Sequence, residues 1–232
     1  MIPRIILAAL CFDVVLSVAF GVDFVLGHPV ERLSRFIDLD GEVNLPTWWA
    51  SVQWFGVAAC LWPFAARHAT RARATSGLLF LLPTIFALFS LDEVAKLHEG
   101  FGGVLDRFFL DVPRTATSVP KTGLWFLLFG VPFVAAFAVL IVALRPHLRR
   151  SPVAFGRLVL GMALFFLGAV GIEGLSNLVV QGSALDTLQV LVEETFEFIG
   201  STIVLWGSYD LAREPGGPRI EGQTRRDSLD TG

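Results

Sequence analysis

The chain has 232 residues, of which 54% are hydrophobic and 17% charged, with a net charge of -3 and a mean hydropathy of +0.66. These values exclude an ordinary soluble domain, and no nucleotide-binding loop or other feature indicates a nucleic acid partner. Apolar runs of about 20 residues recur, which is the length that crosses a hydrocarbon core of roughly 30 Å. We therefore predict an all-α, multi-pass integral membrane protein with a single helical bundle.

The apolar runs predict about six transmembrane helices, at residues 5–26, 47–66, 77–98, 123–144, 153–178 and 188–210. Together they define one membrane domain over residues 1–213, followed by a disordered, Pro/Gly-rich and then charged tail over residues 214–232. Cys11 and Cys60 both fall within apolar runs. This placement is typical of free buried thiols, so no disulfide is predicted.

Arginine placement predicts the orientation of the spans. Arginines cluster after the second, fourth and sixth spans, whereas the opposite loops are longer and carry their basic residues more sparsely. The positive-inside rule then puts both termini in the cytoplasm. Because usage is rich in arginine and poor in lysine, we expect a bacterial inner membrane. The clustered residues are Arg67, Arg71, Arg73, Arg145, Arg149, Arg150, Arg213, Arg219, Arg225 and Arg226.

The two long loops on the outer side alternate apolar and charged residues. Residues 28–46 and 100–122 each show spacing that favours a short amphipathic helix on the membrane surface. Asn44 and Pro46 form a plausible start for the second span. The acidic turn at 38–42 is predicted to be solvated, or else a lid that contributes one ligand.

Carboxylates inside or at the outer edge of the apolar runs are the main functional signal. Ionisable groups at membrane depth are costly and mark functional sites by default. Counting about 1.5 Å per residue from the predicted helix ends puts the acids of three spans into one layer. The seven are Asp92, Glu93, Glu99, Glu173, Glu193, Glu194 and Glu197, and Lys96 and His98 accompany them.

Helical phase gives each of these spans one acidic face. We expect the three faces to turn toward each other, because facing lipid would be costly. The faces comprise Asp92, Lys96 and Glu99 on the third span, Glu173 and Asn177 on the fifth, and Glu193, Glu194 and Glu197 on the sixth.

The ligand types favour a divalent cation as the occupant of this layer. Oxygen ligands suit Ca²⁺, Mg²⁺ or Mn²⁺, and one histidine would permit Fe or Zn. The chain lacks a Glu-x-x-His pair, so the di-iron bundle pattern is not met. The predicted metal ligands are Asp92, Glu93, His98, Glu99, Glu173, Glu193, Glu194 and Glu197, with Lys96 and Asn177 tuning the charge. Such a site would serve transport or a metal-assisted reaction on an ion, small-molecule or lipid substrate; no catalytic residue is assigned.

Two other functions fit the same residues. A proton-coupled transporter or channel without metal would use crowded carboxylates as proton carriers. A non-catalytic membrane subunit or anchor would leave Lys96 paired with Asp92 and Glu99. Deeper in the spans, Asp13 is predicted to pair with Arg157, and Gln53 to make a hydrogen bond within the bundle.

The stretch DGEVNLPTWW at 40–49, with Leu91-Asp92-Glu93 and His98-Glu99, resembles a group of uncharacterised bacterial polytopic membrane proteins. The resemblance covers the first half of the chain best. It implies a six-span fold and an inner-membrane location, in contact with membrane lipid, and implies no activity.

Overall fold

The computed structural model describes residues 2–41, 43–70, 73–109, 122–123 and 126–214, a part of the chain that is helical and contains no strand. In chain order the elements are α1 (Arg4–Val25), α2 (Glu31–Ile37), α3 (Leu45–Ala69), a 3₁₀ turn (Arg73–Thr75), α4 (Ser76–Ala95), α5 (Leu97–Phe109), a π-helical turn (Phe126–Gly130) continuing into α6 (Val131–Leu148), α7 (Pro152–Phe166), a second π-helical stretch (Leu167–Ile172) continuing into α8 (Glu173–Ser176), and α9 (Ala184–Ala212).

Four segments of the described residues are long and apolar enough to cross a membrane, namely Arg4–Val25, Ser76–Ala95, Leu128–Leu148 and Pro152–Ser176. The chain is therefore a helical membrane protein. Helices α3 and α9 have 25 and 29 residues, which is also sufficient length, but their polar residues lower their hydropathy. The six predicted spans match α1, α3, α4, α6, α7 with α8, and α9 in position; six crossings stay a prediction.

Helix α9 lies at the centre of the bundle, packed against α1, α3 and α7. Its contact with α7 is close because glycines face each other across it. A Cβ on Gly200 would lie 2.6 Å from the backbone nitrogen of Phe165, and one on Gly161 would lie 2.6 Å from the Gly200 carbonyl oxygen. Small residues allow such backbone approach between membrane helices.

The C-terminal end of α9 is held by basic side chains. Arg67 donates hydrogen bonds to the carbonyl oxygens of Leu211 and Ala212, at 3.3 and 2.8 Å, which satisfies acceptors that a helix end leaves unpaired. Close by in the chain, His68 contacts His147, their ring centroids 6.4 Å apart. We call this the basic end of the bundle.

Arg157 also lies at the basic end, and the predicted Asp13–Arg157 pair is wrong. Arg157 forms an ion pair with Asp210 and its guanidinium lies 3.7 Å from the ring centroid of Trp206. Asp13 lies in the middle of α1, more than two helical turns from either end, and binds other partners, described below.

The predicted third span is shorter than expected, because Lys96 interrupts it. Helix α4 ends at Ala95, and Lys96 takes a left-handed conformation with φ 52°, its N–H donating to the Asp92 carbonyl oxygen at 2.7 Å. The chain continues as α5 from Leu97. The prediction that Asp92, Lys96 and Glu99 share one helical face is therefore wrong.

The loop predictions are confirmed in part. Helix α2 lies within 28–46, and the Asn44 side chain caps α3 in a reciprocal capping box with Thr47. Helix α5 covers the first part of 100–122; residues 110–121 and the tail from 215 lie outside the described residues. Cys11 and Cys60 are free, as predicted.

We expect Gly200→Ala to destabilise the bundle by about 1–3 kcal/mol, because the added Cβ meets backbone atoms that have to separate. Gly156→Ala is the matched control, since a Cβ there meets no atom within 4 Å. Unfolding in detergent measures both variants. Equal stability of Gly200→Ala and Gly156→Ala would contradict the close α7–α9 contact.

A candidate cation-binding cavity

A cavity of about 1100 Å³ lies at the end of the bundle opposite the basic end. It is bordered by α3, α4 and α5, by the π-helical turns that lead into α6 and α8, and by α9. We call it the acidic cavity. Its size lies at the upper limit of sites for drug-sized ligands, roughly 300–1,000 Å³.

Among the ionisable side chains that line the acidic cavity, carboxylates far outnumber basic groups. Eight carboxylates and one lysine line it, all within the part of the chain that the structure describes. They are Asp40, Asp92, Glu93, Glu173, Asp186, Glu193, Glu194 and Glu197, with Lys96.

Acids from different helices line the cavity together. Glu93, Glu173, Glu193 and Glu194 share it with Asp40. These residues come from α9, α4, the turn before α3, and α8. Acids from α4, α8 and α9 and from the turn at Asp40 therefore line the same cavity; that they form one functional site stays a prediction.

The acids extend along the wall of the cavity. On α9 the lining begins at Asp186 and ends at Ser201, a length of about 22 Å at roughly 1.5 Å per residue. Glu193, Glu194 and Glu197 lie in the middle of that length. The cavity thus follows α9 for several turns, which is deeper than a single layer of acids.

Aromatic side chains form the apolar part of the wall. Trp54 is only 1% exposed, and its ring centroid lies 4.7 Å from that of Phe165 and 5.2 Å from that of Phe89. The aromatic residues that line the cavity are Trp54, Phe89, Phe101, Phe129, Phe133, Phe165, Phe166 and Phe198. An occupant therefore meets carboxylates and aromatic rings in the same space.

Glu173 reaches the cavity through a local change in helix geometry. The π-helical stretch Leu167–Ile172 separates α7 from α8, and such stretches are frequent at functional sites. At Gly168 a Cβ would lie 2.8 Å from both the carbonyl oxygen of Glu193 and the Cγ of Glu197. Because this position is glycine, the segment that carries Glu173 packs directly against the acidic part of α9.

Two polar groups in the wall have no hydrogen-bond partner among the described residues. They are the hydroxyl of Ser176, which is 6% exposed, and the indole N–H of Trp54. Both residues line the cavity, and neither atom is among the buried unpaired polar atoms of the described residues, so both reach the open space of the cavity.

Three predicted site residues remain, namely Asn177, His98 and Glu99. Asn177 does not line the cavity; its side chain donates to the Thr122 hydroxyl at 3.0 Å and accepts from the Thr122 N–H at 3.3 Å. Its predicted charge-tuning role stays a prediction. His98 and Glu99 belong to α5, but their side chains lie outside the described residues.

Asp186 is a lining residue that the sequence analysis missed. The predicted span began at 188, whereas α9 begins at Ala184, with the Ser183 hydroxyl accepting from the Asp186 N–H at 3.2 Å. A Ser followed three residues later by an acid is a helix-start signal, and it would have identified this residue.

The described residues contain no group of three or more His, Cys, Asp or Glu side chains arranged to hold a metal ion. Divalent cations need several oxygens at about 2.0–2.6 Å from one centre. The acids of the described cavity wall are instead distributed around a large space.

Beneath the cavity, a buried hydrogen-bond network surrounds Asp13. Oδ1 of Asp13 accepts from Trp49 Nε1 at 2.7 Å and from Gln53 Nε2 at 2.9 Å, and Oδ2 accepts from the Thr202 hydroxyl at 2.7 Å. Ser201, which lines the cavity, donates to Gln53 Oε1 at 2.8 Å. The prediction for Gln53 is confirmed, and Asp13 is held by three donors.

We expect Asp13→Asn to destabilise the protein by about 2–4 kcal/mol, because its amide turns an NH₂ group toward donors and leaves buried N–H or O–H groups unpaired. Glu31→Gln is the control, since it removes the same charge at an exposed surface pair with Arg35. Unfolding in detergent compares the stability of the two variants. An Asp13→Asn variant as stable as Glu31→Gln would disprove the assigned network.

The chain belongs to the family described as a domain of unknown function, DUF8692, whose model matches residues 6–212. No curated protein and no solved structure matches the chain. The match covers all the described helices except the first two residues of α1, so the cavity lies wholly within the family domain.

Proposed function

We propose that this member of the DUF8692 family is a six-span membrane protein that binds a cationic solute in the acidic cavity. The observation that carries the proposal is the surplus of eight carboxylates over one lysine around about 1100 Å³. Charges of one sign at membrane depth repel one another and are costly to desolvate, so an occupant of opposite charge stabilises the site.

Basic residues support an outward-facing cavity. The helix ends opposite the cavity carry several arginines, and the positive-inside rule assigns such an end to the cytoplasm. Both termini then lie in the cytoplasm, and the cavity opens on the outer side of a bacterial inner membrane. The arginines of that end within the described residues are Arg67, Arg145, Arg149, Arg150 and Arg213.

The apolar core favours a closed binding site over an open channel. Within the described residues, the helices are packed by fully buried side chains toward the basic end. These include Leu61, Phe64, Leu144, Leu148 and Leu158. These side chains lie between the cavity and the basic end, so we expect passage of a cation to the cytoplasm to require another conformation.

A divalent metal ion at the same carboxylates is the second candidate, since Glu173, Glu193, Glu194 and Glu197 share one cavity. His98 and Glu99, two of its predicted ligands, have side chains outside the described residues. The proposal of a metal rests on the oxygen-rich chemistry of the wall.

Replacing Glu194 and Glu197 together by glutamine tests the proposed function. We expect binding of cations to weaken at least about tenfold, equivalent to ~1.4 kcal/mol, because two charges that face the solute are lost. Titration calorimetry of the full chain in non-ionic detergent, with spermine, benzyltrimethylammonium, Ca²⁺ and Mn²⁺ as probes, measures the effect. Glu31→Gln, outside the cavity, is expected to bind as the natural chain does.

The proposal fails if none of the four cations binds, or if those that bind do so equally in the double variant. The proposal is supported if any one of the four cations binds the natural chain, binds the double variant more weakly, and binds Glu31→Gln as tightly as the natural chain.

Elemental analysis of the purified chain tests the metal separately. If a divalent ion is resident, we expect a stoichiometric amount that is lost in the Glu194→Gln, Glu197→Gln variant, with thermal stability that falls in chelator. Absence of stoichiometric metal, with stability unchanged by chelator, rejects a resident metal and leaves the solute proposal intact.

A further inference from the structure

We propose that the occupant of the acidic cavity is a linear aliphatic polyamine, a chain of ammonium groups separated by methylene segments. This inference rests on the proposed cation-binding function and names its substrate class. Three properties of the wall carry it: the spread of its charge, its mixture of carboxylates and aromatic rings, and a buried hydroxyl that can accept a hydrogen bond.

The spread of charge favours a ligand with several positive centres. Along α9 the lining acids extend from Asp186 to Glu197, about 16 Å at roughly 1.5 Å per residue. Further acids face them from α4 and α8. A metal ion neutralises charge at a single point, whereas an extended polycation places its charges beside acids at several depths.

The described residues also lack a compact set of metal ligands, which favours an extended polycation over a metal ion. Among the described residues, no three acids or histidines are arranged to hold a metal ion. Ammonium groups do not need that convergence, because each one is satisfied by two or three oxygens at ordinary hydrogen-bond distances.

The aromatic rings suit the methylene segments of a polyamine. Phe101 and Phe129, which are 50% and 45% exposed, line the same cavity as Glu194 and Glu197. Methylene groups gain by contact with aromatic faces, and ammonium groups are attracted to the faces of such rings. A small hydrated ion would leave this apolar surface against water.

Ser176 adds a requirement for N–H groups on the ligand. Ser176 is only 6% exposed, lines the cavity, makes no side-chain hydrogen bond within the described residues, and follows Glu173 by one helical turn. The hydroxyl oxygen and the Glu173 carboxylate can both accept from a primary or secondary ammonium. A quaternary ammonium has no N–H to donate, so the wall discriminates against it.

Lys96 shows that an alkylammonium fits this environment. It lines the cavity as the lone basic residue of the described wall, on a backbone position with φ 52°. Its ammonium repels the charges of an incoming polyamine. Asparagine tolerates the left-handed backbone conformation, so Lys96→Asn removes the charge and keeps the turn.

Titration calorimetry of the full chain in non-ionic detergent with spermine tests the proposal. We expect spermine to bind at least about tenfold more tightly than Ca²⁺ or benzyltrimethylammonium. Ser176→Ala should weaken spermine binding about threefold to tenfold, as expected for one lost hydrogen bond, and leave benzyltrimethylammonium unchanged. Lys96→Asn should tighten spermine binding, whereas Thr84→Ala, an exposed hydroxyl outside the cavity, should change neither ligand.

The results separate this inference from the function on which it rests. If Ca²⁺, Mn²⁺ or benzyltrimethylammonium binds at Glu194 and Glu197 as tightly as spermine does, the polyamine is wrong and cation binding stands. If no cation binds, both are wrong. Equal loss of spermine and benzyltrimethylammonium in Ser176→Ala also overturns the polyamine, because the hydroxyl would then act on the fold and not on N–H groups.

Discussion

Carboxylates on the central helix α9 impose the constraint that organises this protein. Helix α9 carries Glu193, Glu194 and Glu197, and lipid contact would leave their charge in hydrocarbon. In the bundle, α9 packs against α1, α3 and α7, and its acidic residues line a cavity.

The protein treats its buried acids in two opposite ways. Asp13 is enclosed by the donors of Trp49, Gln53 and Thr202, so its oxygens are satisfied within the chain. The acids of the cavity wall face a space that an outside molecule can enter. The contrast separates a carboxylate enclosed between helices from carboxylates that line a cavity, although both types look alike in the sequence.

Much of the fold and of the site was accessible from the sequence, because long apolar runs and embedded acids are local signals. Six of the eight predicted metal ligands line one cavity: Asp92, Glu93, Glu173, Glu193, Glu194 and Glu197. The break at Lys96 was not accessible, since a lysine rarely takes a left-handed conformation and the hydropathy continues through it. The partner of Asp13 was missed for another reason: opposite charge suggested Arg157, whereas neutral donors from helices distant in sequence supply the hydrogen bonds.

The central place of α9 has a consequence for how the protein is made. It is the last of the described helices to leave the ribosome, and its glutamates make it a poor candidate for insertion by hydrophobicity alone. Its partners α1, α3 and α7 are already synthesised by then, and can receive it as a preformed docking surface. We then expect insertion of α9 to depend on its contacts with α1, α3 and α7, and the cavity, which α9 lines, to form only after α9 is in place.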